Sequence, residues 1–480
     1  MGEIGWIFAG MVIGAGGVLL LRDRNGAIQL RRSRPKSVAQ LLLAHFHPTP
    51  VSDITVSERV FPYRVRADLQ RSVEKLFEDG IRVLHFFGVR KEFSHEALSF
   101  ADCIGESVHS SVTSIPPEYE SLDIGEETPI QVLKVGLWIL EKGHVRLAML
   151  ISPKGSFMEV TGVQVQIAVK NSPEGTQLSQ KLLSDLEHSL LKVESYRGKI
   201  LSLEVSPRSY SGQSSGITVH KLRLVERDQV ILPEATLRLL DRNVIQFVEQ
   251  RQQLAGFNQS LKKGILFYGP PGTGKTHTIH YLARALEGHT TLLISAEQVS
   301  LLGEYMTLAR LLQPSVVVIE DVDLIARDRM SMNNPCGESL LNKLLNEMDG
   351  LKEDASILFL LTTNNPETLE SALSARPGRV DQAIEFPAPD DDGRRKLIAL
   401  YSAGISISED VRAAIIRRTD GVSGAFIKEL MRRTVQFQLE RDANSAITIQ
   451  DTDGALDEML FSGGSLNQKL LGAGKIGFAN

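Results

Sequence analysis

Residues Gly264–Leu286 read GILFYGPPGTGKTHTIHYLARAL, and this stretch decides the fold of the 480-residue chain. The apolar residues Gly264–Phe267 predict a short strand, and the residues after Thr276 predict a helix. Between them lies GPPGTGKT, a complete GxxxxGK[ST] phosphate-binding loop in the strand–loop–helix context that the motif requires. Its glycines let the backbone curl so that successive N–H groups, together with the positive end of the helix, face a phosphate. Chance matches of eight residues in this context are rare, so a plain Gly/Pro turn is a minor alternative.

The predicted role of each loop residue follows from its chemistry. We expect Lys275 to reach the β- and γ-phosphates of a nucleotide, and the Thr276 hydroxyl to ligate Mg²⁺. The predicted nucleotide-binding residues of this segment are Gly269, Pro270, Pro271, Gly272, Thr273, Gly274, Lys275, Thr276 and His277.

Polar residues end two further strand-like runs. VVVIEDVD, Val316–Asp323, predicts a buried strand of a parallel sheet, with its acids at the carboxyl end, where such sheets bind ligands. We expect Glu320 to hold Mg²⁺ through water, and Asp321 to orient and deprotonate the attacking water. The alternative for this segment is a solvated acidic loop. ILFLLTTNN, Ile357–Asn365, predicts the next strand and places Asn364 to bind the nucleophilic water or the γ-phosphate.

Two arginines follow this strand in the sequence SARPGRVD. Arg376 and Arg379 flank a turn and are the third and sixth residues of the motif. They are either surface charges or guanidinium donors that stabilise a transferring phosphoryl group.

The composition excludes several classes of protein. Apolar residues make up 42% of the chain and charged residues 23%, which excludes a disordered, collagen-like or polytopic membrane protein. The chain has 53 Lys and Arg against 58 Asp and Glu, so its net charge of −5 gives no global attraction to nucleic acid. Cys103 and Cys336 are far apart without metal-ligand spacing, which favours a reducing compartment over a disulfide scaffold or zinc module.

The N-terminal segment departs from this soluble average. Ile4–Leu21 has no charged residue, and as a helix it would rise about 27 Å, close to the hydrocarbon thickness of a bilayer. The basic segment Arg22–Lys36 follows, so residues 1–36 are predicted to be a transmembrane anchor that holds the remaining chain in the cytoplasm. The alternative is a Gly-rich strand and helix buried in the N-terminal domain.

Residues 37–225 mix helical and strand patterns. Val65–Phe77 and the leucines of residues 178–190 have helical spacing, whereas Val163–Val169 alternates as a strand does. The segment contains no metal-ligand spacing and no nucleophile motif. We therefore predict an α+β domain of unknown role.

The segment from about Val230 to Phe461 resembles the AAA family of ATPases. The matching motifs, in the order of the family, are GPPGTGKT, IEDVD, LLNKLLNEMDGL, TTNNPETLESAL, RPGRVD and GVSGAFIKEL. The resemblance implies an α/β fold, a P-loop NTPase parallel sheet sandwiched by helices, in residues 226–389. It also implies a C-terminal helical lid in residues 390–462, which leaves residues 463–480 as a Gly-rich tail.

The resemblance also implies how the site is assembled. Such proteins form a ring, usually a hexamer, that binds ATP and Mg²⁺ between subunits. Arg376 and Arg379 would act in trans as arginine fingers, Asn364 would be sensor 1, and Gly424 and Ala425 of the lid would lie at the nucleotide.

Two positions differ from the usual pattern of the family. The usual Asp-Glu pair is reversed to Glu320-Asp321, an order that is similar to membrane-anchored proteins with one AAA module, such as the mitochondrial inner-membrane chaperones of respiratory-complex assembly. Leu301, Leu302 and Gly303 stand at the pore-loop position, where an aromatic residue usually begins the loop.

The sequence thus predicts a membrane-anchored, cytoplasm-facing, ring-forming Mg-ATPase that remodels or translocates a protein substrate. Its expected partners are copies of itself, an unknown protein and, through residues 4–21, a membrane. Two alternatives stay open. One is a nucleotide-dependent scaffold with little turnover, which the short carboxylate of Asp321 favours, and the other is a nucleic-acid motor, supported only by the basic segment Arg22–Lys36. No nucleic acid is expected as a partner.

Overall fold

The chain divides into two compact units, each described here by itself. The computed structural model describes residues 18–22, 28–32, 37–91, 98–105, 112–156, 159–190, 195–204, 216–324, 337–352, 354–367, 380–442 and 445–462. One unit comprises Met1–Ser195 and Glu204–Ile217, and the other comprises Tyr196–Leu203 and Thr218–Asn480.

The first unit is built on an antiparallel sheet. Its strands are ordered β3-β9-β8-β7-β4-β5, and β6 pairs with β7. The elements are β1 (Val18–Arg22), β2 (Ile28–Arg32), α1 (Val38–Phe46), β3 (Ile54–Phe61), α2 (Arg66–Glu78), β4 (Ile81–Lys91), α3 (Phe100–Ile104), β5 (Val112–Ile115), β6 (Glu118–Leu122), β7 (Ile130–Lys142), β8 (Val145–Ser156), β9 (Glu159–Lys170) and α4 (Pro173–Leu190).

Both faces of this sheet are covered, because successive side chains of a strand point to opposite faces. On β7, Leu137 and Ile139 pack in a core cluster with residues of α1 and α3. The intervening Trp138 lies 5.6 Å from Phe77 of α2, measured between ring centroids. Helix α2 also contacts α4. The mixture of helices and strands predicted for residues 37–225 is thus arranged as helices on an antiparallel sheet.

The predicted anchor needs a correction at its C-terminal end. Val18–Arg22 is a strand that pairs antiparallel with Ile28–Arg32, so a single helix cannot continue to Leu21. Val18 is β-branched and opens a run of large apolar residues, and such residues favour extended backbone once a partner strand is present. Within the ranges given above, no helix has the length and apolarity needed to cross a membrane. Residues 1–17 lie outside the described residues.

The second unit contains a sheet ordered β11-β10-β13-β14-β15-β12-β16, in which the strands from β10 to β16 pair in parallel and the hydrogen bonds between β11 and β10 run antiparallel. Strands β14 and β15 are buried along their whole length, as expected for continuous apolar runs covered on both faces. The elements of this part are β10 (Ile200–Leu203), β11 (Ile217–Val219), α5 (Glu234–Leu240), α6 (Gln246–Glu249), α7 (Arg251–Gly256), β12 (Lys263–Tyr268), α8 (Lys275–Ala285), β13 (Thr290–Ile294), α9 (Leu302–Leu311), β14 (Ser315–Ile319), α10 (Gly337–Asp349), β15 (Ile357–Thr363) and β16 (Gln382–Glu385).

One strand corrects the predicted boundary at residue 225. Sequence analysis placed β10 in the N-terminal domain, but its Ile200 and Leu201 pair in parallel with Thr291 and Leu292 of β13. The backbone N–H of Thr291 donates to the carbonyl of Lys199 at 2.9 Å. The segment Tyr196–Leu203 therefore belongs to the second unit, because its backbone hydrogen bonds are made there.

Four helices follow the sheet and share a core of their own. They are α11 (Asp391–Tyr401), α12 (Glu409–Arg418), α13 (Gly424–Arg441) and α14 (Ile449–Asp457). The residues Ile398, Ile415, Ile427 and Leu430 are fully buried among them. A side chain caps the first turn of each helix, as Asp390 does for α11 and Ser423 for α13, because the first backbone N–H groups have no partner within the helix.

Candidate nucleotide-binding site

The GPPGTGKT loop follows β12 and curls into the first turn of α8. Gly269 has a φ of +146°, and a Cβ atom added to it would lie 2.2 Å from the carbonyl oxygen of Phe386. Only glycine fits there, because a side chain would clash with backbone and the φ value is one that L-residues rarely adopt. The Thr273 hydroxyl closes the curl by donating to the Pro270 carbonyl at 2.9 Å.

The Lys275 side chain lies inside this loop and is only 6% exposed. Its ammonium donates to the carbonyls of Gly269 and Pro270 at 2.7 and 2.9 Å. Burial lowers the pKa of Lys275, and the nearby charges of Asp321 and Asp323 oppose that shift. A cation buried against carbonyl dipoles gains a stronger partner when a phosphate enters the loop, so this arrangement fits a phosphate.

Two carboxylates meet polar partners at the carboxyl end of the sheet. The Thr276 hydroxyl donates to Glu320 Oε1 at 2.7 Å. The Asn364 side-chain amide donates to Asp321 Oδ1 at 2.9 Å, and the Asp321 backbone N–H donates to the Thr362 hydroxyl at 3.0 Å. The structure thus brings the longer carboxylate to the predicted Mg²⁺ ligand and the shorter one to Asn364. The donor set of a hydroxyl and a carboxylate is one that Mg²⁺ accepts, directly or through water.

Asp321 adopts a left-handed backbone conformation with a φ of +49°, which is uncommon for a residue other than glycine. This turn follows immediately after Glu320, whose N–H donates to the Ile294 carbonyl of the neighbouring strand β13. Two adjacent carboxylates on an extended strand would point to opposite faces of the sheet. The bend allows both acids to lie near the loop.

Part of this site lines a cavity of about 380 Å³, which is in the size range of small-molecule sites. The lining includes residues 271–278 of the loop and α8, together with Asp321, Thr362 and Asn364. Another part of the lining was not included in the site prediction. Its residues are Gln229, Val230, Ile231, Leu232, Pro233, Pro387, Pro389, Asp390, Gly393, Leu397 and Tyr401. Their sequence signal was weak, because Val230–Pro233 is a short apolar run that reads as an ordinary loop.

The lid reaches the cavity at the start of α13. Gly424 and Ala425 line it, as does Lys428 on the next turn. The Ala425 N–H donates to the carbonyl of Gly272 at 3.0 Å and so joins α13 to the glycine loop.

His277 contacts the segment before α5. Its Nε2 atom lies 3.1 Å from the Gln229 carbonyl, and burial lowers the pKa of His277. A neutral imidazole that carries its proton on Nε2 satisfies this contact.

The other predicted site residues are the two arginines and the pore-loop residues. Arg376 and Arg379 lie outside the described residues. Leu301 ends a 3₁₀ turn and Leu302 begins α9, where the Leu302 side chain is 1% exposed. The prediction that Leu302 contacts a substrate from a pore loop is therefore wrong. Its side chain packs in the core and is not available to a partner. Gly303 lies in the same helix.

Comparison with protein families agrees with this geometry. Residues 265–388, which hold the loop and both carboxylates, match the model of the ATPase family associated with various cellular activities (AAA). The chain carries an AAA domain. The chain is similar to the proteasome-activating nucleotidase of Methanothermobacter thermautotrophicus, with 32% identity over 210 residues that cover 41% of this chain and 51% of the relative.

The chain is also similar to a second kind of protein. The ATP-dependent zinc metalloprotease FtsH of Thermus thermophilus is 31% identical over 235 residues, which are 46% of this chain and 37% of the relative. The nucleotidase of Methanosphaerula palustris is 28% identical over 269 residues, which are 53% of this chain and 65% of the relative. These matches cover from about a third to less than two thirds of the length of each relative.

Proposed function

We propose that this protein binds ATP with Mg²⁺ and hydrolyses it, and that it uses the energy to remodel or translocate a protein substrate. The observation that carries the proposal is the pair of contacts Thr276–Glu320 and Asn364–Asp321 beside a single glycine loop. A phosphate bound in the loop would have a metal-holding group on one side and a base on the other.

In this mechanism the AAA domain supplies position and charge. Lys275 and the loop N–H groups would hold the phosphates, and Thr276 and Glu320 would hold the metal ion, directly or through water. When bound, Mg²⁺ offsets the negative charge that develops on the phosphate oxygens. Asp321 Oδ1 takes the proton of the attacking water, and Asn364 orients that water or stabilises the carboxylate.

The proposed assembly is a ring, and it is tested as a hexamer because the AAA resemblance implies one. Arg376 and Arg379 of one subunit would then complete the site of the next, since a guanidinium offers planar donors to phosphate oxygens. Support for a protein substrate comes from the names of the relatives, a proteasome-activating nucleotidase and an ATP-dependent protease. Hydrolysis would move α13, because Ala425 is bonded to the loop.

The activity is tested by phosphate release from purified protein with ATP and Mg²⁺. We expect Lys275→Ala to weaken binding of a fluorescent ATP analogue about 100-fold, because a charge-assisted contact is lost. We expect Asp321→Asn to keep that binding and to lower turnover about 100-fold, the usual scale for loss of a general base.

A comparison of phosphate release by the wild type and by Asp321→Asn distinguishes the enzyme from the scaffold alternative. If the wild-type protein binds the analogue and forms rings with it but releases phosphate no faster than Asp321→Asn, the protein is a nucleotide-dependent scaffold. If Lys275→Ala binds as tightly as the wild type, the glycine loop is not the phosphate site.

We also propose membrane attachment through the part of the apolar segment 4–21 that precedes Val18. The strand at Val18–Arg22 shortens any helix that precedes it. The test is extraction of membranes with alkaline carbonate, which releases peripheral proteins. An attached protein stays in the pellet, and deletion of residues 1–36 moves it to the supernatant. Release of the full chain contradicts the anchor.

A further inference from the structure

Asp323 is a buried carboxylate that the proposed mechanism does not use. It is the last acid of the IEDVD segment and is 2% exposed. Asp321, Thr362 and Asn364 line the nucleotide cavity, whereas Asp323 does not. A charged group of this kind is costly to bury unless several donors surround it. Its donors therefore show what holds it in place.

Three donors to Asp323 come from the last residue of β15 and the two residues that follow it. The Thr363 hydroxyl and the Asn364 backbone N–H donate to Oδ1 at 3.0 and 3.3 Å. The Asn365 side-chain amide donates to Oδ2 at 3.1 Å. Burial alone would raise the pKa of Asp323, but these hydrogen bonds outweigh it and lower the pKa, so the group stays ionised at neutral pH.

This cluster fixes Asn364, whose side chain contacts the carboxylate of the proposed base. Asn364 is held at its backbone by Asp323, and its side chain donates to Asp321 at 2.9 Å. Asp321 and Asp323 are two positions apart on one chain segment, so the ends of β14 and β15 are joined by two carboxylates. One carboxylate faces the cavity and the other lies behind it.

We infer that Asp323 is a positioning residue, which, with Asn365 as its partner, holds Asn364 in register with Asp321 for hydrolysis. The inference rests on the proposed ATPase activity. A carboxylate with only a structural role would stabilise the fold. Its loss would not lower turnover while leaving the affinity for the nucleotide unchanged. A positioning role predicts that separation, since the groups that touch ATP remain in place while the Asn364–Asp321 contact shifts.

The first test replaces the carboxylate without changing its shape. In Asp323→Asn the new amide nitrogen faces the amide nitrogen of Asn365, so two donors meet and the segment moves. We expect kcat to fall about tenfold, with the KM for ATP and the affinity for a fluorescent ATP analogue within about twofold of wild type. The matched control is Asp451→Asn in α14, another buried and hydrogen-bonded aspartate, which should lower the melting temperature and leave kcat unchanged.

The second test exchanges the two partners. In the double variant Asp323→Asn/Asn365→Asp the amide of residue 323 donates to a carboxylate at 365, while its oxygen still accepts from Thr363 and Asn364. We expect this exchange to restore kcat to within about threefold of wild type, although Asn365→Asp alone, which sets two carboxylates face to face, should be slow.

The outcomes distinguish this inference from the proposed function. No phosphate release by the wild type overturns the ATPase proposal itself. If the wild type is active, a normal kcat in Asp323→Asn, or a double variant as slow as that single one, overturns the positioning role. Should Asp323→Asn not fold, Asn365→Ala removes one donor and keeps the carboxylate. A wild-type kcat in that variant contradicts the inference, and a fall of about threefold supports it.

Discussion

The Thr276 hydroxyl donates to Glu320 at 2.7 Å across the gap between α8 and the end of β14. Glu320 is the longer acid of the reversed pair, and its extra methylene spans this gap. Asp321, the shorter acid, follows a left-handed turn and reaches Asn364 instead. The reversal therefore leaves two distinct positions for the two acids, each with its own partner.

Shortening Glu320 should weaken the metal site selectively. Glu320→Asp draws the carboxylate back by about 1.5 Å, one carbon–carbon bond, and the contact with Thr276 is lost. We expect the Mg²⁺-dependent part of ATP affinity to fall about tenfold, whereas binding in EDTA stays unchanged. Titration of a fluorescent ATP analogue with and without Mg²⁺ measures both. The control variant Asp321→Glu keeps the Thr276–Glu320 pair, so the Mg²⁺ dependence of its ATP affinity should equal that of wild type. If Glu320→Asp also has the Mg²⁺ dependence of wild type, Glu320 does not hold the metal ion.

A methyl group at Gly269 should be far more damaging than one at Gly288. Both glycines have positive φ, but a Cβ at Gly269 meets the Phe386 carbonyl at 2.2 Å and one at Gly288 meets no atom within 4 Å. We expect Gly269→Ala to lower the free energy of unfolding by about 3 kcal/mol. Gly288→Ala should lower it by about 1 kcal/mol, the cost of the strained backbone alone. Urea unfolding compares the two, and equal losses would show that the close approach to Phe386 relaxes freely.

The stability contributed by Asp451 should depend on pH. Hydrogen bonds from Arg441 lower the pKa of Asp451 to about 2, against a raising effect of burial. Because the folded pKa lies below the unfolded one, the contribution is complete above about pH 5 and is lost as the pH falls from about 4 to 2. The difference in urea midpoint between wild type and Asp451→Asn should therefore be larger at pH 7 than at pH 3. A gap that does not change with pH would exclude the ion pair as its source.

Cys103 should resist alkylation in the folded protein. It is 1% exposed, and burial raises the pKa of its thiol to about 12. At pH 8 only about one thiol in ten thousand would be ionised, and the thiolate is the reactive form. In a Cys336→Ser background, we expect iodoacetamide to modify the protein in urea and to leave it unmodified without urea. Rapid labelling of the native protein would mean that this part of the core opens readily.

The residues predicted for the loop and the two carboxylates lie close together in the structure because the determinants of this region are local. The loop GPPGTGKT needs glycines at fixed positions whatever the rest of the chain does, as Gly269 shows by its approach to Phe386. The strands β14 and β15 are uninterrupted apolar runs that end in polar residues, so the carboxyl edge of the sheet could be located from their ends. The contacts of Glu320 and Asp321 follow from that edge.

Features that depend on distant partners could not be predicted. Ile200–Leu203 is a short apolar run that suits either unit, and only its pairing with β13 assigns it. Leu302 is buried because hydrogen bonds of Tyr305 hold α9 against the sheet. The Tyr305 hydroxyl donates to the Leu293 carbonyl and accepts from the Leu203 N–H. The cluster around Asp323 was missed for the same reason, since its donors lie about 40 residues away in sequence.

The membership of β10 in the parallel sheet has a practical consequence for dissecting this protein. The peptide leaves the first unit after Ser195, contributes Tyr196–Leu203 to the sheet, returns at Glu204 and leaves again at Ile217. Residue 226 is the predicted start of the AAA part, but a fragment that begins there lacks β10. Strand β13 then has no neighbour on that side, and backbone donors such as the Thr291 N–H lose their hydrogen-bond acceptors. The exposed edge of β13 favours pairing with strands of other molecules. Poor solubility of such a fragment would therefore result from the missing strand and not from low stability of the ATPase fold.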